Sequence, residues 1–370
     1  MNNVYIYQNK DWPKFSWNSE KLLPLLGRVR GLQGKIVGKM EALGFELKNE
    51  ANFETLTLDV IKTTEIEGEI LNTDQVRSSL AKRLGMVMPD MVYSEKDVDG
   101  VVDMMLDATQ NFEKPLTFER LNDWHFSLFP SGRSGMHKIA VGKLRNDFTG
   151  PMQVVSGSTS KEIVHYEAPS ATILEDELAK FLSWINNNSV ALDPVLKAGI
   201  AHFWFITLHP YEDGNGRMAR AITDMLLARA DGIKQRYYSM SAQIRIERKD
   251  YYEILEQSQK GNLDITEWLE WFLNCLERGV ESSYNTLEKV MYKHQFWTKH
   301  SSSIKNDRQK YLLNKLMDGF EGKLNTSKWA KMAKCSTDTA LRDIQDLLKK
   351  EILEQEMGGG KNTSYKIKVT

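Results

Sequence analysis

The chain is poor in several things that would otherwise name its class. Its 370 residues include two cysteines, Cys275 and Cys335, far apart and without metal-ligand spacing. That argues against a disulfide framework or a thiolate metal site and suits a reducing compartment. No apolar run approaches the length of a membrane span, so no membrane partner is expected. The opening Met1-Asn2-Asn3-Val4-Tyr5-Ile6-Tyr7 has no basic region and no long apolar stretch, so no signal peptide is expected and the cytoplasm is the expected location. An excess of one charge is also missing. Lys+Arg 49 stands against Asp+Glu 50, a net charge of -1, and any role on nucleic acid would have to be local. His125, His137, His165 and His202 are scattered without zinc-site spacing and read as core or surface residues. Ser134-Gly135 and Ser156-Gly157 read as loop serines without a nucleophile-elbow context.

What is present is helical periodicity. Hydrophobic residues make up 41% of the chain, enough for a sizeable core. Leu22, Leu25, Leu26, Val29, Leu32, Ile36 and Met40 place a first helix over about 18–44. A break is expected at 45–52, then a helix over about 53–67 that stops at Gly68. Further helices are expected over about 73–84, 94–112, 117–129, 174–186, 194–208, 216–230, 246–259 and 265–287. The one ending at His209 is apolar almost all round, which implies a buried central helix. Short strands are expected at 139–144, 153–155 and 163–166, the last two joined as a hairpin through Ser156-Gly157-Ser158-Thr159-Ser160. The fold class is mainly α, divided into a helical region over 1–100, a core over 101–290, a linker over 291–306 and a last module over 307–370.

The densest chemistry lies in His209-Pro210-Tyr211-Glu212-Asp213-Gly214-Asn215-Gly216-Arg217-Met218-Ala219-Arg220. Pro210 cannot continue the preceding helix, so His209 sits where helix gives way to loop. Gly214-Asn215-Gly216 permits a tight turn, and the helix that follows offers free N–H groups and its dipole to an anion. Arg217 and Arg220 are three apart, hence neighbours on one face, with guanidinium forks suited to phosphate. Asp213 beside them suits Mg²⁺, which keeps most of its waters. His209 is the natural general base, largely neutral at pH 7 from an ordinary pKa of about 6.5. The chemistry suggested is attack of a hydroxyl on a nucleotide phosphate.

These residues resemble the signature HPFx[D/E]GNGRxxR of the Fic (Fido) family, with Tyr211 in place of the usual Phe. The resemblance implies a protein adenylyltransferase that moves AMP from ATP to a Ser, Thr or Tyr hydroxyl of a target protein. It implies that His209 is the base, that Asp213 holds Mg²⁺, that Gly214, Asn215, Gly216 and Arg217 bind the α- and β-phosphates, and that Arg220 binds the γ-phosphate. Gly142-Lys143-Leu144-Arg145 resembles the family's G-x-[YF]-R strand. The hairpin over about 153–166 resembles its flap, which aligns a target segment by strand addition. Tyr251 and Tyr252 fall where the family often contacts the nucleobase, and Tyr252 is taken as that contact. The first 100 residues resemble an N-terminal domain found fused to bacterial Fic cores. Family members often dimerise, so a homodimer is also implied.

Thr63-Thr64-Glu65-Ile66-Glu67-Gly68 is the second informative stretch. Thr63 and Glu67 share a helix face, and Glu67 sits in a last turn where the helix dipole disfavours negative charge. A plain surface glutamate would explain this, and so would a glutamate that meets an arginine. The stretch resembles the family's inhibitory motif [S/T]-x-x-x-E-[G/N], here Thr63, Glu67 and Gly68. The resemblance implies a bidentate pair of Glu67 with Arg220 that blocks productive γ-phosphate binding. In some relatives the same glutamate supports removal of AMP, and another nucleotide donor is a further alternative.

Helices over about 307–318, 328–333 and 337–350, followed by a strand, Gly358-Gly359-Gly360-Lys361 and a return strand, resemble a winged helix. Residues 305–370 hold 14 Lys/Arg and 9 Asp/Glu, a net charge of +5. DNA or a protein is the expected partner, although Asp338, Asp343 and Asp346 on the third helix weigh against a phosphate-facing surface. A nucleotide-sensing DNA-binding regulator is therefore the alternative to an enzyme.

Overall fold

A computed structural model describes residues 5–368 except 43, 89–90, 149, 158–162, 188–191, 305, 319, 321 and 357–362. Residues up to 284 form one compact unit and those from 285 a second. In the first, α1 (Ser19–Glu41) begins at Asn18, whose side chain accepts from the Lys21 amide. Then come α2 (Phe45–Ile66), α3 (Thr73–Leu84), α4 (Lys96–Gln110) and α5 (Phe118–Leu128). Two hairpins follow, β1 (Arg133–Ser134) with β2 (His137–Lys138), and β3 (Gln153–Ser156) with β4 (Ile163–Glu167). Helices α6 (Leu174–Asn186), α7 (Pro194–Leu208), α8 (Asn215–Asp231), α9 (Met240–Ile246), α10 (Arg248–Gln259) and α11 (Thr266–His300) complete it, the last reaching into the second unit.

The core forms around α7. Every residue from Val195 to Leu208 is buried except Lys197, which is why this helix reads as apolar on all sides. It packs against α6 and α8. Trp12, Phe15, Phe181, Phe203 and Trp204 meet edge-on around it, the arrangement that aromatic quadrupoles favour. Helix α2 packs on α3, α8 and α9, so the segment holding Thr63 and Glu67 belongs to the same body as the motif. The boundary expected at residue 100 falls inside α4.

Several expectations need correction. Helix α2 starts at Phe45, and the break expected over 45–52 shrinks to Ala42–Gly44. Glu46-Leu47-Lys48 and Glu50-Ala51 are good helix formers, and Ala51 and Phe53 bury one face. The strand expected over 139–144 is irregular backbone with one turn at Val141-Gly142. No neighbouring strand pairs with it among the described residues. Gly142 adopts φ 64° and gives its amide to His125 Nδ1. The helix expected over 246–259 is α10, which starts at Arg248, and the short α9 that ends just before it was not expected. Helix α11 passes Leu287 and continues to His300, so residues 291–300 are helical rather than linker. Leu287, Val290 and Phe296 are all buried.

The second unit contains α12 (Asp307–Met317), α13 (Thr326–Met332), α14 (Thr337–Lys349) and the hairpin β5 (Leu353–Gln355) with β6 (Tyr365–Ile367). Asn306, Asn325 and Ser336 cap the three helices through their side chains. Leu312, Leu313, Trp329, Ile344, Leu347 and Leu353 form its own core. The turn expected at 158–160 and the glycine tip at 358–361 lie outside the described residues. No helix among the described residues is long and apolar enough to cross a membrane.

Candidate active site at the start of helix α8

His209 closes α7 in the left-handed conformation, at φ 47° and ψ 57°. Few residues other than glycine enter this region, though His is among those enriched there. Two contacts hold it. The Arg145 side chain donates to His209 O at 2.8 Å, and the Arg145 amide donates to Pro210 O at 3.0 Å. The same guanidinium reaches Pro169 O and Asp147, which ties the end of α7 to the segment after β4. Arg145 therefore acts as a bracket in a loop, not as part of a strand.

The imidazole lies with Nδ1 3.3 Å from Ile206 O. A carbonyl can only accept, so Nδ1 carries the hydrogen and Nε2 keeps a free lone pair. Desolvation pulls the His209 pKa down to about 4, with the Arg145 charge adding to the effect and the Ile206 contact opposing it. His209 is then a neutral proton acceptor throughout the physiological range.

The turn that follows is braced from within. Asn215 Oδ1 accepts from the Tyr211 amide at 3.0 Å, and Asn215 Nδ2 donates to Tyr211 O at 2.7 Å. The Asn215 side chain is thus committed to the loop, and what it can offer an anion is its backbone N–H. Tyr211 is buried, stacks on His125 and donates its hydroxyl to Asn122 Oδ1 at 2.8 Å. The hydroxyl that departs from the usual Phe is therefore satisfied. Gly214 has φ 78°, and a Cβ there would come within 2.9 Å of the Phe129 ring. Helix α8 begins at the next residue, with its first amides free of intrahelical partners. Asp213 flanks it, accepting from the Gly214 amide at 2.6 Å and from the Ser134 hydroxyl.

The two arginines of the motif are almost wholly buried and both meet the segment at the end of α2. Arg220 Nε donates to Thr63 Oγ1 at 2.7 Å, and Nη2 donates to Thr63 O at 2.8 Å and to Glu67 Oε1 at 2.6 Å. The pairing with Glu67 is single-pronged rather than bidentate, because Thr63 occupies the rest of that edge. Glu67 caps α2, and Gly68 turns the chain at φ 89°. Arg217 Nη1 pairs with Glu69 Oε2 at 3.3 Å, and its guanidinium lies over Phe129 at 5.0 Å. Arg217 Nε and Arg220 Nη1 are buried without a partner among the described residues. Each unmet donor costs about 1–3 kcal/mol, the kind of cost an anion would relieve. Gly216 lies so close to Glu67 that an added Cβ would be 2.2 Å from Oε1.

Tyr251 and Tyr252 part company. Tyr251 is buried and meets His202 Nε2 at 2.9 Å, so it serves the core. Tyr252 keeps an open face under the Arg248 guanidinium, and Arg248 Nε donates to Ile66 O at 2.6 Å. Of the four scattered histidines, His202 is a satisfied core residue, its pKa lowered to about 3 by desolvation. Sequence reasoning passed over Glu69 and Arg248 and read Ser134 as a plain loop serine. Only Glu69 left a local trace, in that Glu67 and Glu69 stand two apart opposite arginines three apart.

Residues 115–227 match the profile of the Fic/DOC family, and residues 5–86 match a domain of unknown function, DUF4172. The chain is 31% identical over 228 residues to the protein adenylyltransferase fic-1 of Caenorhabditis briggsae, covering 58% of this chain and 42% of that protein. The fic-1 of Caenorhabditis elegans is 28% identical over 226 residues with the same coverage. The chain thus spans less than half the length of these curated relatives. A Fic family protein from Desulfovibrio desulfuricans G20 shares the fold over 96% of this chain and 98% of its own, at a TM-score of 0.52 and 19% identity.

Proposed function

For a chain that carries a Fic/DOC domain and is homologous to Fic protein adenylyltransferases, we propose the transfer of AMP from ATP to a Ser, Thr or Tyr hydroxyl of a target protein. The observation that carries this reading is the pairing of a fixed, neutral imidazole with an anion site. His209 Nε2 has its lone pair free at the start of α8, where two buried arginines hold unmet donors. His209 takes the proton of the incoming hydroxyl, whose oxygen attacks the α-phosphorus while pyrophosphate leaves. The amides of Gly214, Asn215 and Gly216, together with Arg217, hold the α- and β-phosphates, and Arg220 holds the γ-phosphate. Their value grows in the transition state, where charge shifts toward the leaving oxygen.

Asp213 would hold Mg²⁺. Among the described residues no cluster of three or more acidic, His or Cys side chains forms a cage. One carboxylate beside a phosphate site is nevertheless the usual provision for an ion that keeps its waters and binds mainly through phosphates. When bound, the ion would neutralise charge on the leaving pyrophosphate.

Glu67 is read as the restraint. While it holds Arg220, the γ-phosphate has no seat, and the nucleotide binds out of line. The target segment adds along the edge of β3 and β4, and Tyr252 contacts the nucleobase. The test uses labelled ATP with the wild type, Glu67→Gly and His209→Asn. The reading expects strong labelling only in Glu67→Gly. It is overturned by the absence of label from every form, or by undiminished label in His209→Asn.

The second unit suggests a second activity, a winged helix that binds DNA. Two of the acidic residues that counted against it are spent internally. Asp343 is buried against Arg308 and Asn306, and Asp346 pairs with Lys350 and Gln309. The exposed face of α14 then presents Arg342, Gln345 and Lys349, with Asp338 and the half-exposed Asp346 opposing. A mobility-shift assay of the full chain across a salt series decides this. Salt-independent absence of a shift rejects DNA.

A further inference from the structure

Three side chains outside the motif stand in line from the β3–β4 hairpin to α10. Ser156 Oγ lies 2.6 Å from His165 Nε2, and His165 Nδ1 lies 2.6 Å from Glu256 Oε2 on α10. Ser156 pairs with Ile163 across the hairpin, so His165, two residues on, is its diagonal neighbour on the same face. A bulge between Val154 and Val155 leaves His165 without an opposite residue. Bulges of this kind re-aim a side chain.

The hydrogen positions follow from the partners. A carboxylate oxygen can only accept, so Nδ1 of the neutral ring carries its hydrogen toward Glu256. Nε2 then accepts from the Ser156 hydroxyl. Lys260 holds the other oxygen of Glu256 at 2.5 Å and keeps this carboxyl below its ordinary range. The result is a hydroxyl, a base and an orienting acid, the order that activates a nucleophile. Ser156 is exposed and His165 about a third exposed. The other histidine–hydroxyl pairs among the described residues, His202 with Thr223 and Tyr251, are sealed in the core.

The hairpin that carries the line is tied to the end of α7. Tyr166, next to His165, donates its hydroxyl to Thr207 O at 2.7 Å, and Thr207 is two residues before His209. Val154 pairs with Tyr166, and Ser156 is two residues further, about 7 Å along the strand.

We infer that Ser156 is itself an acceptor of the adenylyl group, a self-modification site on the flap, which rests on the transfer activity proposed above. The Ser156 Oγ–Pα bond forms as the bond from Pα to the bridging oxygen of the β-phosphate breaks. Pyrophosphate leaves with that electron pair, and the Ser156 proton passes to His165 Nε2, where Glu256 steadies the imidazolium. The ATP is held by the same chain or by a second copy. The product places a nucleotide on the strand edge that would receive a target segment, so the mark limits further transfer.

The test is mass spectrometry of the full-length Glu67→Gly protein after incubation with Mg-ATP, with pyrophosphate release followed in parallel. Fragment spectra are expected to place AMP on Ser156. The mark should vanish in Ser156→Ala, persist in Ser156→Thr, and fall at least tenfold in His165→Gln, relative to adducts elsewhere. Pyrophosphate release or adducts at other residues with Ser156 unmodified would overturn the inference alone, as would an undiminished mark in His165→Gln. No pyrophosphate and no adduct anywhere would overturn the transfer activity as well.

Discussion

Glu69 Oε2 stands 3.3 Å from Arg217 Nη1, two residues beyond the glutamate that reaches Arg220. One turn of chain after α2 therefore places a carboxylate on each arginine of the motif. The two contacts differ in kind. The Glu67 side chain is 29% exposed, whereas that of Glu69 is 54% exposed and its pair is more open to solvent screening.

Glu69→Gln should tighten binding of ADP by about two- to five-fold, the worth of an exposed pair. ADP lacks the γ-phosphate, so Glu67→Gly should change its affinity less than it changes that of ATP. Titration calorimetry of both nucleotides on both variants separates the roles. Equal ADP affinity in Glu69→Gln and wild type would show that Glu69 does not compete for Arg217.

Glu67→Gly should raise AMP incorporation roughly 100-fold, if release of the Arg220 contact is worth about 3 kcal/mol. Thr63→Ala should raise it less. It removes one acceptor from Arg220 Nε but leaves the Thr63 carbonyl and Glu67 in place. Radiolabel counting on the two proteins ranks them, and a larger effect from Thr63→Ala would contradict the assignment.

The pH profile should show where His209 titrates. Activity needs the neutral imidazole, so it falls as pH drops through the His209 pKa. Desolvation sets that pKa near 4, not near the ordinary value of about 6.5. The acid limb of kcat/KM for Glu67→Gly should therefore lie below pH 5. A half-maximum near 6.5 would place His209 in a more solvated setting than this one.

Asp59 on α2 supplies a stability test. It is fully buried, accepts from the Ser239 hydroxyl and has its second oxygen unmet, with Asp224 and Arg236 nearby. Burial, and then the charge of Asp224, hold its carboxyl well above the ordinary range. The folded state thus keeps a proton that the unfolded chain has lost above about pH 4. Stability from this group is present below the unfolded pKa and declines as pH rises toward the folded one. Each unit of difference is worth about 1.4 kcal/mol. Denaturant midpoints should fall between pH 5 and 8 in the wild type and fall less in Asp59→Asn. Parallel slopes in the two proteins would show that Asp59 does not carry the proton.

Much of the site was legible because it is contiguous. His209 through Arg220 is one run in which helix end, turn and helix start follow from Pro210 and the glycines. Thr63 and Glu67 were legible as one face of one helix. Contacts made across the chain were not. Ser134 meets Asp213 and Glu256 meets His165 through folding alone, and no spacing announces either. The strand expected over 139–144 failed for a related reason. Its β-prone residues were read locally, but a strand needs a partner, and Gly142 turns toward His125 instead. Helix α11 outran its expected end because burial of Val290 and Phe296 outweighs the polar residues between them.

The fit of Glu67 against Gly216 limits how this protein can be tuned. The missing side chain at 216 is the floor on which the Glu67 carboxylate rests and, in the proposed function, the floor on which nucleotide phosphates would rest. A methyl group there would press on the Glu67 carboxylate, the movable end of a flexible side chain, and would crowd the proposed phosphate seat as well. Graded activity must be set from the α2 side, at 63, 67 and 69, where side chains can be altered one contact at a time. Variation among natural versions of this site should accordingly gather on that strip and spare the turn.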